Sequence, residues 1–182
     1  MTTLSERLES LAIRVTSPDN RIRATLRAGR SIECEFRPGA YDEYRQGDLE
    51  HQLGRLATLA WTGYQRGYQL AVAEATGTRP SGEQQSWDPN RRRYREALDA
   101  SQHEGISPER WIRVRCTGMS HWTVDLRTGY HAALPEPRFL TELSSAAGEI
   151  IRDRRLRAAR LKDEHYGLDI PAELRARFAR AR

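Results

Sequence analysis

The residues able to carry chemistry are five histidines, two cysteines and a large population of arginines. His51, His103, His121, His131 and His165 show no metal-ligand spacing of the H-E-x-x-H kind. His121 and His131 fall on what read as successive strands and could approach each other, but no cysteine or carboxylate completes a ligand set with them. Cys34 and Cys116 lie inside strand-like segments with no histidine beside them in sequence to activate a thiol. Both read as reduced, small hydrophobes. Gly54, Gly63 and Gly67 belong to a helical pattern and cannot form a phosphate-cradling loop. The sequence predicts a protein that is not an enzyme and uses no cofactor or metal.

The arginines are the more informative population. The chain has 30 basic and 25 acidic residues, a net charge of +5 and a pI near 9.6, and Lys162 is its one lysine. Such a balance permits anionic partners without demanding them. Three groups stand out. Arg14, Arg21, Arg23, Arg27, Arg113, Arg115 and Arg127 lie on the polar faces of strands; Arg91, Arg92, Arg93 and Arg95 open a helix; Arg152, Arg154, Arg155, Arg157 and Arg160 crowd the far half of the last long helix. One reading is a set of solvated faces balanced by Glu33, Glu35, Asp125, Asp153 and Asp163. The other is bidentate contact with the phosphate backbone of DNA, insensitive to sequence and sensitive to salt. The candidate nucleic-acid contacts are Arg91, Arg92, Arg93, Arg152, Arg154, Arg155, Arg157 and Arg160.

The elements that must position these residues follow from periodicity. Residues 3–10 predict a short helix with Thr3 as N-cap and Glu6 completing a capping box. Strands are predicted over Ala12–Thr16, across the alternation of Ile22, Ala24 and Leu26, and across that of Ile32, Cys34 and Phe36, with a turn at Ser17-Pro18-Asp19-Asn20. A long amphipathic helix is expected over 48–75, its Gly54, Gly63 and Gly67 marking close approach of another element. Residues 76–87 read as a linker. A helix beginning at Pro89, capped by Asp88, is expected to run to about Gln102 and stop near Gly105. A second sheet is then expected from Ile112–Cys116, Trp122–Leu126 and Tyr130–Leu134, followed by a helix over 138–164 and a short terminal helix over 171–180.

The stretch Ile13 to Phe36 reads as present twice. Ile13-Arg14-Val15 matches Ile112-Arg113-Val114 at a spacing of 99, and Leu26-Arg27 matches Leu126-Arg127 at 100. The long helices align at 90, which implies a shorter loop in the second half. The expected fold is α+β, with two tandem helix–three-stranded antiparallel sheet–long helix repeats forming an intramolecular pseudo-dimer. The expected divisions are a first repeat over 1–75, the linker, a second repeat over 88–165 and a C-terminal helical extension over 166–182. A half of about 75 residues is marginal alone, so a shared core is expected.

Val15-Thr16-Ser17-Pro18-Asp19-Asn20-Arg21-Ile22, followed by the hairpin and long helix, resembles the YbaB/EbfC family of small nucleoid-associated proteins. It is also similar to relatives among actinobacterial type VII (ESX) secretion-associated proteins, EspH- and EspL-like. The resemblance covers residues 12–75 and is weaker over 88–164, where Cys116-Thr117-Gly118-Met119 stands in place of the Ser-Pro turn. It implies either non-specific DNA binding or an adaptor role with a secretion-system protein as partner, and allows a further homodimer. No stretch of about 18 apolar residues is present and residues 1–7 lack a signal-peptide pattern, so a cytoplasmic protein without membrane insertion is expected.

Overall fold

The computed structural model describes residues 4–77 and 88–166. Most of the expected linker, the capping role of Thr3 and the terminal helix over 171–180 lie outside the described residues. The first half contains α1 (Leu4–Ser10), β1 (Ala12–Thr16), β2 (Ile22–Arg27), β3 (Ser31–Phe36), α2 (Ala40–Glu43) and α3 (Gln46–Thr76). The second contains α4 (Pro89–Asp99), β4 (Gln102–Ile106), β5 (Ile112–Thr117), β6 (His121–Leu126), α5 (Tyr130–Ala133) and α6 (Glu136–Tyr166). Each half holds an antiparallel three-stranded sheet, ordered β1-β2-β3 and β4-β5-β6, followed by a 31-residue helix. The α+β tandem-repeat architecture is therefore present.

The register of the repeat differs from the sequence expectation. Every strand and both helices after it recur at a spacing of 90, so β1 is matched by β4 and not by Ile112–Cys116. The backbone carries the same period: left-handed residues Asn20, Ala28, Gly29 and Gly39 return as Arg110, Gly118, Met119 and Gly129. The second Ser-Pro turn is Ser107-Pro108, and Cys116-Thr117-Gly118-Met119 is the β5–β6 hairpin, equivalent to the one at Ala28-Gly29. No loop is shortened. β4 escapes a hydrophobicity reading because its inward positions are His103 and Gly105. Tyr130–Leu134 is no strand either. Gly129, at φ 86°, starts a single helical turn closed by the Leu134 amide donating to the Tyr130 carbonyl.

Both Ser-Pro turns are built the same way. The Ser17 hydroxyl oxygen accepts from the Ile22 amide at 2.9 Å, and Ser107 accepts from Ile112 at 3.1 Å. Both serines are buried and fully used, which fixes the entry of β2 and β5 into their sheets. In the first turn Ser17 also donates to Asp19 at 2.6 Å, and Tyr44 donates to the other carboxylate oxygen.

The halves interlock. α3 packs on β1 and β2 of its own sheet and on β6 of the other; α6 packs on β4 and β5 and on β3. The third strand of each sheet is thus covered by the opposite helix. Gln46 Nε2 donates to the Leu126 carbonyl at 2.6 Å, and the Leu126 amide donates to Glu50 at 2.8 Å, so α3 satisfies the open edge of β6. Two hydrogen bonds mark the pseudo-twofold axis. The Tyr41 hydroxyl donates to the Leu134 carbonyl at 2.8 Å, and His131 Nε2 donates to the Tyr44 carbonyl at 2.9 Å. Tyr41 and His131 are equivalent positions, as are Tyr44 and Leu134, and the Tyr41 and His131 rings stand 4.9 Å apart. The apolar core straddles this axis through pairs such as Leu53 and Leu143, with a residual apolar cavity of about 70 Å³ between them.

The glycines sit where elements crowd. A Cβ at Gly54 would stand 3.2 Å from the Trp122 carbonyl, and at Gly63 2.7 Å from Ile13 Cγ2, which explains their place inside a helix. At Gly105 a Cβ would collide with the Ala146 carbonyl oxygen, an atom of a packed helix backbone that has nowhere to go. Gly105→Ala should therefore destabilise the fold by about 1–3 kcal/mol or more, read as a lower urea midpoint; an unchanged midpoint would contradict this packing. Asp19 supplies a pH-dependent test. Burial alone would raise its pKa, but the Ser17 and Tyr44 hydroxyls and Arg21 hold it below the ordinary 3.8. A depressed carboxylate contributes stability that is present above its ordinary value and is lost as pH falls through the lowered one. Asp19→Asn should reduce stability at neutral pH, and its deficit should shrink as acid titrates the wild-type carboxyl.

Candidate functional site

The three arginine groups separate once their partners are in view. On the sheets, Arg23 pairs with Glu35 at 3.6 Å, Arg27 with Glu33 at 3.3 Å, Arg113 with Glu104 at 3.4 Å and Arg115 with Asp125 at 2.8 Å. Arg21 pairs with Glu43 at 2.9 Å, and the Arg127 guanidinium lies 4.8 Å from the Trp111 ring centre. Arg23, Arg27, Arg113 and Arg115 are thus neutralised across strands and Arg21 by α2, and the solvated-face reading accounts for them.

The helical arginines are arranged differently. α4 packs along α6, which brings the Arg91-Arg92-Arg93 run and the Arg152–Arg160 segment onto adjoining helices although some 60 residues separate them in sequence. Arg91, Arg92, Arg93, Arg152, Arg155 and Arg157 are exposed. Within this group Arg92 has an ion pair with Glu96, at 3.6 Å and one helical turn away, and Arg160 has a partner of its own. Arg154 stands apart from the rest. It is partly buried, with its guanidinium 4.3 Å from the centre of the Trp61 ring. Burial lowers its pKa from the ordinary arginine value.

Beside Arg154 opens a cleft of about 270 Å³ between α1, the β2–β3 hairpin, α3 and α6. Its walls include Ser5, Leu8, Glu9, Arg30, Trp61, Tyr64, Met119, Ile151, Arg154 and Arg155. Burial raises the pKa of the Tyr64 phenol, while Arg154, Arg155 and Arg30 act in the opposite direction, so three cations bear on one hydroxyl. Arg30 belongs to none of the sequence-derived groups. Its position became meaningful only when the hairpin was folded against α3.

The histidines and cysteines take separate places. His121 begins β6, with Nδ1 3.0 Å from the Ser120 hydroxyl, and His131 lies beyond the far end of that strand on the pseudo-axis. A six-residue strand spans about 20 Å at some 3.3 Å per residue, so the two are not brought together. Among the described residues no group of three His, Cys, Asp or Glu side chains could hold a metal ion. Burial pushes the Cys34 thiol up to about 12 and the Cys116 thiol up to about 11, which leaves neither as an activated nucleophile.

One polar constellation was missed by sequence reasoning. His103 is 3 % exposed; its Nδ1 lies 2.6 Å from Asp153 Oδ2, and its Nε2 lies 2.8 Å from Ser101 Oγ. The order Ser–His–Asp matches that of a hydrolase triad. Here, however, the Ser101 hydroxyl is buried and donates to the Leu98 carbonyl at 2.6 Å, so its proton is committed to the backbone. The chain joins β4 to α6 and seats the strand. Its equivalent in the first half is the contact between Ile13 and Gly63, 90 positions earlier. A two-residue apolar contact has thus become a polar one at matching positions, a signal available from sequence once the period of 90 is recognised. A double-mutant cycle on His103→Ile and Asp153→Gly should show coupling of about 0.5–3 kcal/mol, because each single change strands its partner; additive effects would show that the two do not act as a unit.

No helix among the described residues is long and apolar enough to cross a membrane. No protein-family model, no curated protein and no solved structure matches this chain.

Proposed function

We propose that this chain is a non-enzymatic DNA-binding protein of the YbaB/EbfC kind, acting in the cytoplasm as a nucleoid-associated protein. The contact surface is the arginine face of α4 and the far half of α6: Arg91, Arg92, Arg93, Arg152, Arg155, Arg157 and Arg160. One observation carries this reading. Four of the sheet arginines, Arg23, Arg27, Arg113 and Arg115, are paired with cross-strand carboxylates, whereas among the described residues the exposed arginines of the two adjoining helices are largely without an ion pair. Two helices presenting guanidinium groups side by side suit the phosphate backbone, which is recognised by charge and without sequence selectivity.

Titration with random duplex DNA tests this directly. Affinity in the micromolar range should collapse between low and moderate salt, with each phosphate neutralised adding about 0.9 to the slope of log K against log salt. Reversing charge at Arg155 and Arg157, or at Arg91 and Arg92, should weaken binding to all sequences alike and flatten that slope. An absence of binding at low salt would end the proposal.

A specific observation favours a second reading, an adaptor of an actinobacterial type VII (ESX) secretion system. Leu59 and Leu70 of α3 are 42 % and 54 % exposed. They are eleven residues apart, about three helical turns, and so share a face. Their equivalents in the second half are Glu149 and Arg160. Exposed leucines present on one copy alone suit a protein partner. Co-purification with a secretion component, abolished by Leu59→Asp with Leu70→Asp while DNA affinity is unaltered, would favour this reading over the first.

A further inference from the structure

We propose that the cleft between α1, the β2–β3 hairpin, α3 and α6 is a binding site for a single phosphomonoester group, held by Arg30, Arg154 and Arg155. This does not rest on the DNA-backbone reading, with which it shares Arg155 but not Arg30 or Arg154.

Arg154 is the starting point. A guanidinium withdrawn from water is costly unless an anion accompanies it. Arg154 has no carboxylate within ion-pair distance among the described residues, and the Trp61 ring against which it lies returns only part of that cost. Arg30 and Arg155 line the same cleft without an ion pair among the described residues, so three guanidiniums share its wall with the Tyr64 side chain. Among the described residues one carboxylate, Glu9, lines the cleft, and the charge of Asp99 of α4 reaches Arg154 without an ion pair.

Neutral donors stand with the cations. The Ser5 and Tyr64 hydroxyls lie on the wall. Trp61 also lines the cleft, and its indole Nε1 is buried with no hydrogen-bond partner among the described residues. Tyr64 is held in place by the hairpin, since its Cζ lies 2.5 Å from where a Cβ of Gly29 would be. That position is at φ 59°, so glycine serves both the turn and the ring.

The geometry also limits the ligand. At about 30 Å³ per water, a cleft of 270 Å³ holds a phosphate and a small ester group. Arg154 lies over the Trp61 ring at 4.3 Å and Tyr64 packs beside that ring at 5.3 Å, so the largest aromatic surface of the cleft is already engaged. The site therefore reads a charged terminus and not a ring. A phosphomonoester, carrying about −1.5 to −2 at neutral pH, matches three guanidiniums better than a carboxylate or a backbone phosphodiester with one charge.

The site lies across the pseudo-twofold axis, since the equivalent pairs Gly29 and Met119, Trp61 and Ile151, and Tyr64 and Arg154 all line it. Its cationic side is a product of divergence: Arg30 and Arg155 are Ser120 and Gln65 at the equivalent positions, and Arg154 stands opposite Tyr64.

Calorimetric titration with inorganic phosphate and with phenyl phosphate, at constant ionic strength set by chloride, tests the assignment. One saturable site per chain is expected, with a Kd of about 0.1–1 mM and a change in tryptophan emission. Arg154→Met and Arg30→Gln should each weaken it by about tenfold or more, while Arg154→Lys retains part of the affinity. Arg30 lies on an exposed hairpin tip, so its variant keeps the test open even if Arg154→Met fails to fold. Duplex DNA binding should be unchanged in Arg30→Gln, which separates failure here from failure of the DNA reading. A 5′-phosphorylated oligonucleotide binding more tightly than its 5′-hydroxyl counterpart would identify a DNA end as the source; equal binding would assign the site to a free phosphomonoester. No saturable phosphate binding, or binding indifferent to both Arg30→Gln and Arg154→Met, would overturn the proposal.

Discussion

The fold depends on an exchange across one pseudo-twofold axis. Tyr41 gives its hydroxyl proton to a carbonyl of the other half, and His131 returns a hydrogen bond to the equivalent carbonyl of the first. Around this crossing Phe36, Tyr41, Tyr130 and Phe139 pack ring against ring, drawn equally from both halves. Each helix then lies on two strands of its own sheet and on the third strand of the other. Neither half closes a core by itself, which agrees with the difficulty a domain of about 75 residues has in burying enough apolar surface.

The axis is conserved in geometry and broken in chemistry. Several core pairs of equivalent residues are alike: Leu53 and Leu143, Ala57 and Ala147, Ile22 and Ile112. On the axis itself Tyr41 stands against His131, and elsewhere the copies part further. Ile13 against Gly63 becomes His103 against Asp153, and Leu11 against Gly67 becomes Ser101 and Arg157. Tyr64 becomes Arg154, which then leans on Trp61 of the other half. Packing density explains the pattern. A core position tolerates little change in volume, whereas a position at the rim of a helix can exchange an apolar contact for a charged one when its neighbour changes with it.

Much of the architecture was legible because strands β2, β3, β5 and β6 alternate cleanly and the long helices show continuous apolar stripes. The period of the repeat was misread at the one strand whose inward residues are histidine and glycine. Those residues were chosen by contact with α6: His103 by Asp153 and Gly105 by the Ala146 carbonyl. Hydrophobic alternation cannot report a strand whose partners are polar or simply too near. The arginine groups were visible in sequence, but their division into paired and unpaired sets was not, since ion pairing follows strand register and helix adjacency. Arg30 and Trp61 show the same limit. Nothing in a turn arginine or a helical tryptophan announces a cleft until α1, α3 and α6 converge on them.

The covering of β3 by α6 also sets an order of events during synthesis. Phe36 meets Phe139, a partner about one hundred residues later in the chain, so the decisive contacts are non-local and slow to close. At about 5–20 residues per second the first sheet leaves the ribosome roughly 5–20 s before the helix that shields it. During that interval the side of β3 that α6 will cover stands open. Once α6 is made, its tether to the first half gives it an effective concentration of about millimolar at that strand, so the intramolecular contact closes ahead of one with a free neighbour.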